Sequence, residues 1–400
     1  MKIKMTDTYV KDFDAPAKKR KHIILLDGTW NDETGSDLDG LVTNIVKLRK
    51  ILVNSEENQI VRYHRGVGND NDNGWLGNLW KGSSGNGVQK IVEHAYIRFV
   101  KDWQKGDEIF IFGFSRGAAA ARILASKISK KGVPKSVRIT LFARENKQTK
   151  VAEQHIANYS IENGDKSEAV KIEFLGVWDT VSAFGLYNSF KRFIGISKKD
   201  LFTDNHIAPN IKRAVHLVGI DETRNPFTPS LMNHKEGVTH EVWFPGVHSD
   251  IGGSYREDEI AKVSLNYMIQ MMKNHIQKEG LKALDVNTDH LKKFTLETSH
   301  KAHFHFHGLS WGENLRLIRV QENGETSHTL KPKIHQLYYD LCESNETFAV
   351  VKKRKSKKCV PFQYMPFNVK ALRGEFEIVK PTDLTQPQKS SVKSNSLELS

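Results

Sequence analysis

Cysteine is nearly absent: two residues in 400. That excludes a disulfide scaffold and a cysteine zinc site, and it fits a reducing compartment. No apolar run approaches the roughly 18 residues of a membrane span. The N-terminus, MKIKMTDTYVKDFDAPAKKRK, contains no apolar stretch of the secretory type. The chain is therefore expected to be made as a cytoplasmic protein. Acidic residues are in modest deficit, 47 against 60 Lys and Arg, for a net charge of +13. The excess is local. Residues 1–21 carry seven basic residues against three Asp, and KKRKSKK at 352–358 carries six and no acid. Outside these two segments the chain is close to neutral. That argues against a nucleic-acid footprint across a whole face and for a solvated run or an attachment patch. The 352–358 run is the candidate for peripheral contact with an anionic membrane. No protein partner can be named.

Hydrophobic residues make up 38% and charged residues 27%, so the chain can bury a core. Residues 1–20 are polar and are expected to be a basic, flexible segment. HIILL (22–26) then reads as a strand buried on both faces. Thr43 is placed to cap a helix whose Ile45, Val46, Leu48, Ile51 and Leu52 face inward. QIVRYH (59–64) is a second strand. Residues 66–87 hold seven Gly with Asn, Asp and Ser, an irregular loop of a length that usually carries function. Val88 to Trp103 follow helical spacing throughout. EIFIFGF (108–114) is a strand and 116–129 a helix. Further buried strands are expected at 170–178, 213–220 and 240–247, and a helix at 257–275. Near-continuous apolar strands alternating with helices predict an α/β protein with a mostly parallel sheet covered on both faces. The catalytic domain is assigned to 21–280, an appended C-terminal region to 281–375 and a disordered tail to 376–400.

Gly113-Phe114-Ser115-Arg116-Gly117 is a G-x-S-x-G pentapeptide between a buried strand and an Ala-rich helix. This is the setting of a nucleophile elbow. The chain reverses in a few residues, Ser is held in a strained conformation, and flanking Gly lets strand and helix pass closely. The bland alternative is a tight glycine turn with Ser115 as helix cap. A nucleophilic Ser needs a base, and the base an orienting acid. In this fold class the order is Ser, acid, His, with the acid and the His each after a strand. Asp179 follows FLGVW and His248 follows HEVWFPGV, so both fit. Each has an ordinary reading as a loop residue. Asp250 is a rival acid, but two residues from His248 it more naturally shapes the loop. The oxyanion donors expected are the backbone N–H of Arg116 and one from Gly28 or Thr29 in DGTW. Asp27 is an accessory candidate, orienting that loop or approaching the leaving group. An aspartate-phosphatase reading of LLDGT fails because position 25 is Leu.

LLDGTWN (25–31), GFSRGAAAAR (113–122), GVWDTV (176–181) and FPGVHSDIGGSY (244–255) together resemble the type VI secretion phospholipase effector family. The resemblance covers roughly 20–280, with weaker similarity at KIHQLYYD (333–340) and YMPFNV (364–369). It implies an α/β-hydrolase fold and a serine esterase acting on phospholipid acyl chains. By motif, Ser115, Asp179 and His248 take the nucleophile, acid and base roles. It leaves open type VI export or action inside the producing cell. No cofactor is implied.

Two other clusters carry less. His300, His303, His305 and His307 cluster in HKAHFHFH, where His303, His305 and His307 would line one face of a strand, with Phe304 and Phe306 on the other. This reads as a solvated face and not a metal site, since no carboxylate is interleaved. Asp70-Asn71-Asp72-Asn73-Gly74 misses the spacing of a calcium loop. It reads as part of a flexible lid in which Trp75, Leu76, Leu79 and Trp80 cover the site or meet lipid. The function expected is a serine esterase or lipase. The alternatives are a non-catalytic module of the same fold and a basic nucleic-acid-associated protein.

Overall fold

Apolar runs such as HIILL and EIFIFGF need cover on both faces, and the computed structural model gives it to them. It describes residues 4–16, 19–28, 42–66, 86–145, 152–161, 167–181, 207–305, 315–353 and 356–380. The central sheet has eight strands: β1 (Lys21–Leu26), β2 (Gln59–His64), β3 (Glu108–Phe114), β4 (Ile172–Trp178), β5 (Ile211–Gly219), β6 (Thr239–Phe244), β7 (Lys333–His335) and β8 (Glu377–Val379). Their spatial order is 2-1-3-4-5-6-7-8, and every neighbouring pair is parallel. The strand order reverses between β1 and β3 while the strands stay parallel, and helices cover both faces, the arrangement of an α/β-hydrolase fold.

Side chains alternate across the sheet. Ile23, Leu25, Phe110, Phe112 and Phe174 enter one core with the helices α1 (Asn44–Ile51) and α4 (Glu259–Lys278). Ile24, Leu26, Ile109, Ile111 and Leu175 enter the other with α2 (Asn86–Asp102) and α3 (Arg116–Lys131). Each fully buried Phe, Leu or Ile contributes about 1.5–3 kcal/mol. Thr43 caps α1 by accepting the Val46 N–H at 3.2 Å, as the sequence predicts. Because every strand runs the same way, the C-terminal ends of β1, β3, β4 and β6 share one edge. Asp27, Ser115, Asp179 and His248 follow these ends directly or within four residues. Among the described residues, no helix is long and apolar enough to cross a membrane.

Four expectations change. The N-terminal segment is not flexible throughout: Lys4–Val10 is a strand, antiparallel to Ser136–Glu145. Backbone hydrogen bonds at a sheet edge hold it, and these leave no apolar period to read. Residues 281–375 are not an appendage. β7 and β8 extend the central sheet, and Ile334 and Val369 share a core with Val218 of β5, Ile220 just after it and Trp243 of β6. The segment 376–400 assigned as a tail contains β8, and residues 381–400 lie outside the described residues. The histidine run is not solvated throughout: His300 is exposed, but His305 is buried. His305 is 6% exposed, and its ring faces Asp250 Oδ1 at 2.8 Å and Glu257 Oε2 at 3.2 Å. Carboxylates from distant loops meet it, which local spacing cannot show. His307, Phe306, most of the 66–87 loop and the lid residues 70–80 lie outside the described residues. The basic run is part of an antiparallel hairpin, Glu346–Lys353 with Ser356–Pro361.

If the C-terminal strands are integral, Ile334→Ala should lower unfolding free energy by about 2–5 kcal/mol. Denaturant unfolding should remain a single transition. A separate early transition for the C-terminal region would show that it folds apart from the sheet.

Candidate active site

The elbow forms because β3 must turn into α3 without room for side chains. Ser115 adopts φ 60° and ψ −124°, a left-handed backbone that non-glycine residues enter only under constraint. A Cβ on Gly113 would lie 2.5 Å from the Gly117 carbonyl oxygen, and one on Gly117 would lie 2.3 Å from that of Leu26. Both positions therefore require glycine. The second contact also shows that the 26–28 loop lies directly against the elbow. The Ser115 N–H continues the sheet ladder to the Trp178 carbonyl at 3.1 Å. The Ser115 side chain makes no helix-capping bond. Its Oγ instead lies 2.8 Å from His248 Nε2.

His248 opens a single helical turn, His248–Gly252, after β6. Its ring lies between Phe114 and Phe227, each with a centroid 4.7 Å away. Its Nδ1 is 2.6 Å from Asp179 Oδ2. Asp179 follows β4, has φ 39° and is completely buried. Burial alone would raise its carboxyl pKa. The neighbouring Arg316 charge and the hydrogen bond from His248 outweigh burial and hold it well below the usual carboxylate range. An ionised Asp179 can only accept, so His248 Nδ1 carries the proton. The lone pair of Nε2 then faces Ser115, whose O–H donates to it. Burial pushes the His248 imidazole below its ordinary value, against the opposing pull of Asp179, so the neutral ring is favoured.

The remaining candidates have defined places. Asp250 Oδ2 accepts the Val247 N–H at 3.0 Å and its Oδ1 meets His305, so it shapes the His248 loop. Asp27 accepts from Thr43 Oγ1 at 2.9 and 3.0 Å, from Tyr63 Oη at 2.8 Å and from the Gly28 N–H at 2.7 Å. It orients the loop, and the Gly28 N–H is committed to it. Arg116 begins α3, where the first-turn N–H groups point out of the helix. Thr29 lies outside the described residues. Among the described residues, no group of three or more His, Cys, Asp or Glu is arranged to hold a metal ion.

Sequence reasoning missed several residues here. Arg316 donates Nη1 to Asp179 Oδ1 at 2.6 Å and Nη2 to Oδ2 at 2.9 Å. Glu222 Oε2 accepts the His248 backbone N–H at 3.3 Å and pairs with Arg224 at 2.6 Å. Asp221 accepts the Gly246 N–H at 2.6 Å and the Tyr364 hydroxyl at 2.9 Å. Around Arg316 the usual alternation is reversed. Leu315 and Leu317 are 55% and 66% exposed, while Arg316 is 6% exposed. A pattern reading would bury the leucines.

An uncharacterized protein of Saccharomyces cerevisiae is 27% identical over 208 residues, 46% of this chain and 29% of the relative. A crystal structure of an uncharacterized protein from Pseudomonas aeruginosa is 16% identical, covering 70% of this chain and 49% of that one, at a TM-score of 0.48. The Tle1 effector bound to the VgrG spike of the type 6 secretion system is 20% identical, covering 60% and 52%, at a TM-score of 0.35. The chain thus spans under a third of the yeast relative and about half of these two structures. Residues 20–271 match the family model described as T6SS, phospholipase effector Tle1-like, catalytic domain. That match supports a lipase- or esterase-type hydrolase. It covers well over half of the chain, which belongs to the Tle1-like phospholipase effector catalytic domain family.

Proposed function

We propose that the protein is a serine esterase that hydrolyses acyl esters of phospholipids. The observation that carries this reading is the continuous chain Ser115 Oγ, His248 Nε2, His248 Nδ1, Asp179 Oδ2, with links of 2.8 and 2.6 Å. His248 takes the Ser115 proton as Oγ attacks the ester carbonyl. Negative charge on the carbonyl oxygen is met by the Arg116 N–H and by an N–H of the DGTW loop. Gly28 is already engaged by Asp27, so Thr29 is the better second donor. The protonated His248 then delivers its proton to the leaving alcohol, and the acyl-enzyme forms. Water, deprotonated by the same ring, releases the fatty acid and restores Ser115.

Ser115→Ala should leave the fold intact and lower hydrolysis of a phospholipid panel by about 10⁴-fold or more. Retained turnover in that variant would remove Ser115 from the chemistry.

The pH dependence has a definite sign. Turnover needs neutral His248, and burial shifts its pKa downward. Activity is therefore lost only as pH falls through this depressed value. The acid limb of kcat/KM should lie below the ordinary imidazole value of about 6.5. A limb above that value would contradict a buried, desolvated base.

The 352–358 run is assigned a membrane contact on related grounds. The run carries six basic residues and no acid, a composition suited to an anionic surface. Neutralising the six basic residues should lower activity on anionic vesicles and not on a soluble ester. Equal loss on both, or on neither, would leave the run a solvated hairpin.

A further inference from the structure

The Asp179 carboxylate is held from four directions. Oδ1 accepts the Gly219 N–H at 2.9 Å and Arg316 Nη1 at 2.6 Å. Oδ2 accepts Arg316 Nη2 at 2.9 Å and lies 2.6 Å from His248 Nδ1. Arg316 is itself fixed. Its Nη1 also reaches the Gly219 carbonyl at 2.7 Å and its Nη2 the Phe227 carbonyl at 2.5 Å. Asn368 Nδ2 holds the Arg316 backbone carbonyl at 3.2 Å and reaches the Ile220 carbonyl at 3.0 Å. The fork therefore cannot swing away while β5 and the 364–369 segment stay in place.

Building on the esterase reading, we propose that Arg316 is a positioning residue. Its bidentate guanidinium keeps Asp179 ionised and aimed at His248 Nδ1, so that residues beyond the matched catalytic segment complete the site. The two guanidinium bonds and the Gly219 N–H occupy the other acceptor directions of the carboxylate. Only the direction toward His248 remains, which fixes both the ring tautomer and the aim of Nε2 at Ser115. The charge matters separately. With Arg316 present, Asp179 and neutral His248 form a buried group of zero net charge. Without it, the same pair carries −1 and draws a proton more strongly. The pair would then hold that proton to higher pH, where the base must be free.

Other charges face this pair. Glu222 and Arg224, bonded to each other at 2.6 Å, stand on the His248 side. His216 Nε2 accepts the Thr180 N–H at 3.0 Å while its Nδ1 faces Glu241 at 2.8 Å. Asp250 lies beyond, against His305. Asp221 is buried near Arg316, and burial pushes its carboxyl up to about 7. It titrates within the pH range of such a profile, so its contribution has to be separated.

The test is kcat/KM against pH on a soluble short-chain ester. Wild type, Arg316→Gln and Arg316→Lys are compared, each also in an Asp221→Asn background, with Ser115→Ala as the control. Arg316→Gln should lower the plateau by about 10²-fold and move the acid limb up by about one pH unit or more, with Asp221 or without it. Arg316→Lys keeps the charge and loses the fork, so it should lower the plateau while leaving the limb near that of wild type. An unshifted limb in Arg316→Gln overturns the inference, as does a shift that vanishes with Asp221→Asn. If Arg316→Gln does not fold, a wild-type plateau in Arg316→Lys overturns it. Retained turnover in Ser115→Ala would instead sink the esterase reading. An inactive Ser115→Ala beside an unshifted Arg316→Gln removes only the role of Arg316.

Discussion

A carboxylate with no access to water has to be held before anything else at this site can work. Asp179 is completely buried at the C-terminal end of β4. An isolated ion there would lose its charge, and with it the hydrogen bond that orients His248. The Arg316 fork, the Gly219 N–H and His248 Nδ1 offset that burial between them. The tautomer of His248, the direction of its Nε2 lone pair and the hydrogen bond from Ser115 all follow. Burial of His248 adds a base that stays neutral below the ordinary imidazole range. The ion pair is better understood as a registration device than as a source of stability.

Described side chains from the C-terminal third of the chain meet acids around the site. His303 faces Glu259 at 3.1 Å, His305 faces Asp250 at 2.8 Å, Arg316 holds Asp179, and the Tyr364 hydroxyl reaches Asp221. Three of these partners lie within five residues of a catalytic-edge strand end or beside His248. β7 and β8 anchor the segment by extending the sheet next to β6. The C-terminal region is thus a strap whose polar side chains satisfy the acids of the catalytic edge.

What could be read from the sequence depended on how local each signal was. β1, β3, β4 and α2 were legible because a continuous apolar run or a helical period lies within one segment. The meeting of Ser115, Asp179 and His248 was legible for a related reason. Each stands at or just past the end of such a strand, and parallel strands bring those ends to one edge. Arg316 was not, because its meaning lies in a partner 137 residues away and its leucine neighbours point outward. β7 and β8 are three residues each, too short for a period to show. His305 read as solvated because the carboxylates that bury it come from the 250–257 loop. The Lys4–Val10 strand is held by backbone pairing, which composition does not record. The charge excess was placed correctly in two segments, although both turn out to include strands.

The central claim is that Ser115 is activated by His248. Reaction with a fluorophosphonate probe, followed by peptide mass mapping, tests it most directly. The account predicts one adduct, on Ser115, and its loss in His248→Ala although Ser115 is still present. An adduct on another residue, or undiminished labelling of Ser115 without His248, would contradict it.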